Sequence, residues 1–300
     1  MKQRCLVILL VLLSLLAIFY PLISSRVNEK YRSEVRTAYY ESIASLDNGA
    51  LETERRLASA YNELLFHGVQ EAYSDPQRNK AAAEYLALLN LNADGVMGYV
   101  EIPKLDIHLP IYHGTDAETL EKGAGHVIGS SLPVGGPGTH AVISAHSGMA
   151  REKMFSDLGQ LAKGDVFFLH TLGETLAYEV ESSRIVLPSE TEPLRMEAGA
   201  DLVTLVTCTP FGVNSHRLLV RGHRTEFTQE EAAQKELPTP MSSTWEQEYK
   251  KGLLWGLCAL FVIVILYVVF TQDGTPTAAQ AESGPDGVSL DSILKCLREL

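Results

Sequence analysis

A cysteine becomes a useful nucleophile near neutral pH when a base, a positive charge or both stand beside it in a partly open setting. The segment Thr204-Leu205-Val206-Thr207-Cys208-Thr209-Pro210 offers such a setting. Pro210 has no N–H to give a ladder, so pairing should stop near it and leave Cys208 at a strand end facing a cleft. After Phe211 to Ser215 the chain returns as His216-Arg217-Leu218-Leu219-Val220-Arg221-Gly222-His223-Arg224. Read as a hairpin, this sets Arg217 close to opposite Cys208, where a guanidinium can favour a thiolate or bind a developing oxyanion. Arg221 shares the strand face by the two-residue period and is the rival for that role.

The proton acceptor must be brought in by the fold from elsewhere in the chain. Of nine histidines, His146 follows the strand pattern Ala141-Val142-Ile143-Ser144-Ala145 and precedes Ser147-Gly148. That is a strand-to-loop exit, the same kind of position as Cys208. His126 and His140 are rivals. A metal reading on His140 and His146 lacks a carboxylate or second cysteine at ligand spacing, so no metal and no other cofactor is expected. Of four cysteines, Cys5 and Cys258 lie in or beside apolar runs and Cys296 lies in the tail. Cys208 is therefore alone in the middle of the chain, where no disulfide of its own can staple it. It is either a working thiol or a buried small hydrophobe.

The elements that must position these groups change character at about Val96. Before it, Tyr31, Val35, Ala38, Tyr39, Ile43 and Leu46 recur at helical spacing, and Asn48-Gly49 breaks the run. Helical stretches follow from Leu51 to Phe66 and from Asn79 to Leu91, separated by the turn Ser74-Asp75-Pro76-Gln77. After Val96 come short segments rich in Val, Ile, Leu and Thr. They are Gly98–Ile102, Ile107–Ile111, Ala141–Ala145, Val166–His170, Leu176–Ile185, Leu202–Cys208 and Arg217–Arg224. Glu118–Gly123 and Arg151–Leu161 could each carry one short helix. So many turn-punctuated strands imply a mainly β domain, an antiparallel barrel or sandwich.

Two apolar runs bracket this chain. Leu6 to Ile23 follows Lys2 and Arg4, and Leu253 to Phe270 carries Trp255 and Tyr267 near its ends. Each is long enough, at about 1.5 Å per residue, to cross a hydrocarbon core of about 30 Å. Lys2 and Arg4 place the N-terminus in the cytoplasm, so two spans would hold the middle of the chain outside and return the tail to the cytoplasm. Both termini are then cytoplasmic. The formal charge of −12 excludes nothing about solubility but gives no basic patch for nucleic acid.

Thr204-Leu205-Val206-Thr207-Cys208 resembles the sortase signature, Thr-Leu-x-Thr-Cys, and His216 to Gly222 resembles the strand that carries that family's arginine. The likeness extends over Gly98-Tyr99-Val100-Glu101-Ile102-Pro103-Lys104, Gly123 to His126, Ser131 to Gly136 and Val142 to Gly148. The two apolar runs, the helical extension and Ser74-Asp75-Pro76 resemble the class C sortases, which polymerise pilins. That resemblance implies an eight-stranded sortase-type β-barrel with N-terminal helices, flanked by two transmembrane helices. It further implies a lid in which Asp75 bonds the catalytic arginine and an aromatic after Pro76 covers the thiol. Here Gln77 stands where the aromatic is expected, and Ser147 stands where an arginine is common.

The organisation expected is a membrane anchor over 1–26, a helical extension with the lid loop over 27–95, the catalytic barrel over 96–226, a linker over 227–251, a second span over 252–270 and a tail over 271–300. The resemblance implies a membrane-bound transpeptidase cleaving a Leu-Pro-x-Thr-Gly-like sorting signal of a pilin or surface protein. Cys208 would form a thioester, His146 would act as acid and base, Arg217 would hold the oxyanion, and Thr207 would touch substrate. An amine, a pilin lysine in class C, would resolve the thioester. Two alternatives are a sortase that anchors surface proteins to peptidoglycan and a catalytically silent membrane-tethered binding module.

Overall fold

The computed structural model describes residues 2–68, 83–147, 153–226 and 244–272. Two helices lead in: α1 (Lys2–Ser45) and α2 (Asn48–Phe66). The break between them falls at Leu46-Asp47. Asp47 is extended and its carboxylate accepts the Ala50 N–H at 2.7 Å, so it caps α2, and Asn48-Gly49 opens the helix instead of ending one. Such a cap is worth about 1 kcal/mol. α1 runs unbroken through residue 26, where the sequence divides anchor from extension.

Each helix buries one stripe. Val35, Tyr39 and Ile43, four apart on α1, pack on Val96, Tyr99 and Tyr112 of the barrel wall. The Tyr39 hydroxyl donates to the Met97 carbonyl and accepts the Leu172 N–H, both at 3.1 Å. On α2, the buried Asn62 brackets Leu132, accepting its N–H at 2.7 Å and donating to its carbonyl at 3.1 Å.

Eight strands follow: β1 (Val96–Ile102), β2 (Ile107–His113), β3 (Ala124–His126), β4 (Thr139–Ser144), β5 (Val166–Thr171), β6 (Glu174–Val186), β7 (Asp201–Thr209) and β8 (His216–Thr225). They close into a barrel in the order β1-β2-β3-β4-β7-β8-β6-β5. Closure removes the exposed edges that an open sheet would present. The pairs β2–β3 and β4–β7 are parallel, and the others are antiparallel. Between β2 and β3 lies a short helix, α3 (Ala117–Lys122), capped by the Asp116 carboxylate on Thr119 N–H. In the described part of Arg151–Leu161 only a 3-10 turn forms, Leu158–Gln160. The last helix is α4 (Thr244–Gln272).

The two-residue period sorts each strand into an inner and an outer face. Val100, Ile102, Leu109, Ile111, Ala141, Ile143, Phe167, Leu169, Val203, Leu205 and Val220 fill the interior. Gly222 on β8 lies against Phe167: a Cβ there would stand 2.7 Å from the ring, so no larger residue fits without moving it.

One expectation needs correction. Among the described residues no helix is long and apolar enough to cross a membrane, so the two transmembrane helices expected from Leu6–Ile23 and Leu253–Phe270 lack structural support. The runs do lie within α1 and α4, but the described side chains cover only part of each. Most of those that are described, among them Leu12, Leu16, Phe19, Trp255, Phe261 and Val262, are exposed.

Candidate active site

Three strand ends meet at one rim of the barrel. β7 and β8 pair with Cys208 directly opposite Arg217. β4 runs parallel to β7 with Ser144 beside Val206, and the Ala145 N–H continues that ladder to the Val206 carbonyl at 3.1 Å. Two more residues along this register bring His146 level with Cys208. Alternation then places His146, Cys208 and Arg217 on the outer face, with Val142, Val206 and Leu219 of the same three strands. All three candidate residues are half-buried, dry enough to strengthen a charge interaction and open enough for a ligand to reach them.

The rim is fastened by its neighbours. Thr207 points inward, is buried, and its hydroxyl donates to the Ala145 carbonyl at 2.8 Å. The expected substrate contact is therefore a side chain committed to holding β4 against β7. Ser147 Oγ donates to the Cys208 carbonyl at 2.6 Å, and the Phe155 N–H returns to the His146 carbonyl at 3.0 Å. Sequence reasoning saw Ser147 only as a departure from the arginine common in class C. Its place one residue after His146 was the available signal.

The rivals are occupied elsewhere. His126 is fully buried, its Nε2 donating to the Ser131 carbonyl at 2.8 Å and its Nδ1 accepting from Tyr85 OH at 2.9 Å. Burial pushes its pKa down to about 4. His140 is buried on the outer face, bonding the Arg195 carbonyl at 2.8 Å and Thr204 Oγ1 at 2.7 Å, and burial lowers its pKa too. A neutral ring with both nitrogens bonded cannot shuttle a proton without breaking its own ties. Arg221 is paired with Glu181 and, at 2.7 Å, with Glu197. The Arg217 guanidinium instead donates to the carbonyls of Asn214 and His216, at 3.1 and 3.0 Å, ties that a better acceptor can replace.

Beside the rim, Val142, Val206, Leu219 and Val186 form an apolar patch outside the barrel, with Val127 and Leu194 packed on it. Leu194 ends the 3-10 turn Glu192–Leu194 in the β6–β7 connection, and the His140 bond to Arg195 pins that connection down. Among the described residues no cluster of three or more His, Cys, Asp or Glu could hold a metal ion. The lid residues Asp75, Pro76 and Gln77 lie outside the described residues.

Comparison with known proteins adds a second line. A family model described as the sortase domain matches residues 100–225. Sortase D of Bacillus subtilis is 35% identical over 130 residues, which is 42% of this chain and 63% of that protein. The chain thus matches under two thirds of that curated relative's length. Solved structures are covered more fully. The crystal structure of Streptococcus pneumoniae sortase C, reported with pilin substrate specificity, aligns at 42% identity and a TM-score of 0.56, covering 65% of this chain and 98% of that one. Clostridium perfringens sortase C, solved with the C-terminal cell wall sorting motif, aligns at 40% identity and 0.56, covering 65% and 100%.

Proposed function

The chain belongs to the sortase family, and on that premise we propose that it is a membrane-tethered cysteine transpeptidase working through Cys208, His146 and Arg217. The observation that carries this reading is the register: Cys208 opposite Arg217, with β4 delivering His146 alongside on the same outer face. In the proposed cycle Cys208 Sγ attacks the Thr carbonyl of a Leu-Pro-x-Thr-Gly-like signal. Arg217 stabilises the oxyanion, the Thr–Gly C–N bond breaks, and His146 gives its proton to the departing amine. An incoming amine then attacks the thioester, His146 takes its proton, and the thiolate leaves. One amide replaces another, so no redox partner or cofactor is required.

The pilin lysine as acceptor is supported by the likeness to the S. pneumoniae enzyme. The segment Asp75-Pro76-Gln77 is the proposed lid, and Gln77 gives it no ring with which to cover the thiol. Membrane tethering is supported by the apolar side chains that α1 and α4 expose among the described residues. In this reading the barrel lies outside the cytoplasm and both termini inside.

The acceptor assignment is tested by incubating the full-length protein in detergent with a sorting-signal peptide and equal amounts of a pilin-lysine peptide and a peptidoglycan cross-bridge mimic. We expect the lysine adduct to dominate. Dominance of the cross-bridge adduct would move the protein to cell-wall anchoring while leaving the chemistry intact.

A further inference from the structure

The peptides around His146 are held from two directions. The Ala145 N–H bonds the Val206 carbonyl, the Ala145 carbonyl accepts from Thr207 Oγ1, and Ser147 Oγ donates to the Cys208 carbonyl. All of these tie the end of β4 to β7. The His146 carbonyl accepts from a different part of the chain, the Phe155 N–H at 3.0 Å. Whatever fixes Phe155 therefore fixes the peptide that carries the imidazole.

Phe155 lies in a turn that plugs the rim end of the barrel. It is fully buried, and Met154, Leu158 and Leu161 share its core cluster with Leu105 of the β1–β2 connection. Met154 holds a left-handed backbone, φ 41°, although it carries a side chain. Such a conformation persists only where its surroundings over-determine it. Lys153 and Asp157 bracket this turn. Lys153 Nζ lies 3.3 Å from Asp157 Oδ2 and donates to the Leu105 carbonyl at 2.6 Å. The Ser156 N–H returns to the Lys153 carbonyl at 2.9 Å. Asp157 is 2% exposed, so removing the ammonium would strip a buried carboxylate of a charged partner. One ammonium thus joins the two ends of the turn to each other and to the barrel wall. Lys104 provides a contrast: from the same β1–β2 connection it bonds Asp165 at 2.7 Å, just before β5 and beyond the turn.

We propose that Lys153, paired with Asp157, is a positioning residue for His146. The pair holds the Met154 turn in the conformation that presents the Phe155 N–H to the His146 carbonyl, and so sets where the imidazole stands beside Cys208. Lys153 acts through the main chain of Phe155 and not on the reacting atoms. The inference rests on the reading of His146 as acid and base, and its structural half can be measured without turnover.

The test compares Lys153→Met, Lys153→Arg and Lys104→Met in the full-length protein in neutral detergent. Steady-state rates use a sorting-signal peptide and an amine, and the ring resonance of His146 is followed by NMR with labelled histidine, assigned by its loss in His146→Gln. Lys153→Met should lose about 10- to 100-fold in kcat with KM within about twofold, since a small misplacement of a reacting group is that costly. Its His146 resonance should move. Lys153→Arg keeps the charge and should recover kcat to within about fivefold of wild type. Lys104→Met should lower the Tm but leave kcat within about twofold and the resonance in place, because it removes a part-exposed pair away from the turn. If Lys153→Met fails to fold, the double variant Lys153→Met with Asp157→Asn, which strands no charge, takes its place. An unmoved His146 resonance, equal kcat losses in Lys153→Met and Lys104→Met, or a loss confined to KM overturns the role. A wild type that turns over no peptide counts instead against the transpeptidase reading, and the resonance alone then decides whether Lys153 positions the ring.

Discussion

His140 lies near the start of the six-residue β4 and His146 two residues past its end, on the same face by alternation, yet they live in different chemistries. His140 is sealed under the β6–β7 connection with both ring nitrogens bonded and its pKa lowered by burial. His146 stands at the strand's exit, half-buried, beside the end of β7. The same division separates Arg221, clasped by Glu181 and Glu197, from Arg217, which bonds the Asn214 and His216 carbonyls two repeats of the pleat nearer the rim. The barrel wall spends its polar groups on structure, and the rim keeps them available. Position along a strand, and not residue type, assigns the role.

The sharpest way to break this comparison is to exchange arginine for lysine at each site. Arg217→Lys loses the planar fork and should cut transpeptidation about 100-fold or more, as loss of an oxyanion donor does. Arg221→Lys should stay within about fivefold of wild type, since its charge serves Glu181 and Glu197 and a screened pair contributes little. Steady-state rates with a sorting-signal peptide compare the two. Equal losses would erase the distinction between wall and rim.

A stability measurement tests the wall directly. His126 has its pKa lowered to about 4 by burial, below the ordinary value near 6.5. Between these values the unfolded chain binds the proton that the folded chain refuses, so stability falls as pH drops from about 6.5 towards 4. The wild-type acid leg should carry up to about 3 kcal/mol from this residue. His126→Gln, weaker at neutral pH, should show a flatter acid leg in urea melts taken at pH 7, 5.5 and 4.5. An unchanged slope would contradict the buried neutral ring.

The smallest effect concerns the fastening of the rim. Ser147→Ala removes the hydroxyl that holds the Cys208 carbonyl, a bond worth about 1 kcal/mol, so kcat should fall about two- to tenfold with KM little changed. A rise in KM at constant kcat would instead make Ser147 a substrate contact.

Much of this was readable from the chain because the signals are local. Alternation in Val166–His170 or Leu202–Cys208 needs only neighbouring residues, and β1, β2, β4, β5, β6, β7 and β8 all fall on segments marked by it. The hairpin that faces Cys208 with Arg217 was also local, six loop residues from strand to strand. β3 escaped that reading because Ala124-Gly125-His126 is too short and too small to show a period. The parallel pairing of β4 with β7 is non-local, joining Ser144 to Val206 across the whole of β5 and β6. No spacing in the sequence encodes that contact, although it is what sets His146 beside the thiol. Asp47 was missed for a different reason: a glycine in Asn48-Gly49 looks like a stop, and the cap one residue earlier turns it into a start.

The proposed chemistry requires Cys208 to be the nucleophile, and intact-mass measurement of the full-length protein after incubation with a Leu-Pro-x-Thr-Gly peptide tests that most directly. The prediction is a mass gain equal to the acyl fragment, located on Cys208, discharged when an amine is added, and absent in a folded Cys208→Ala variant. An adduct on another residue, or product formation at wild-type rate by Cys208→Ala, would contradict it.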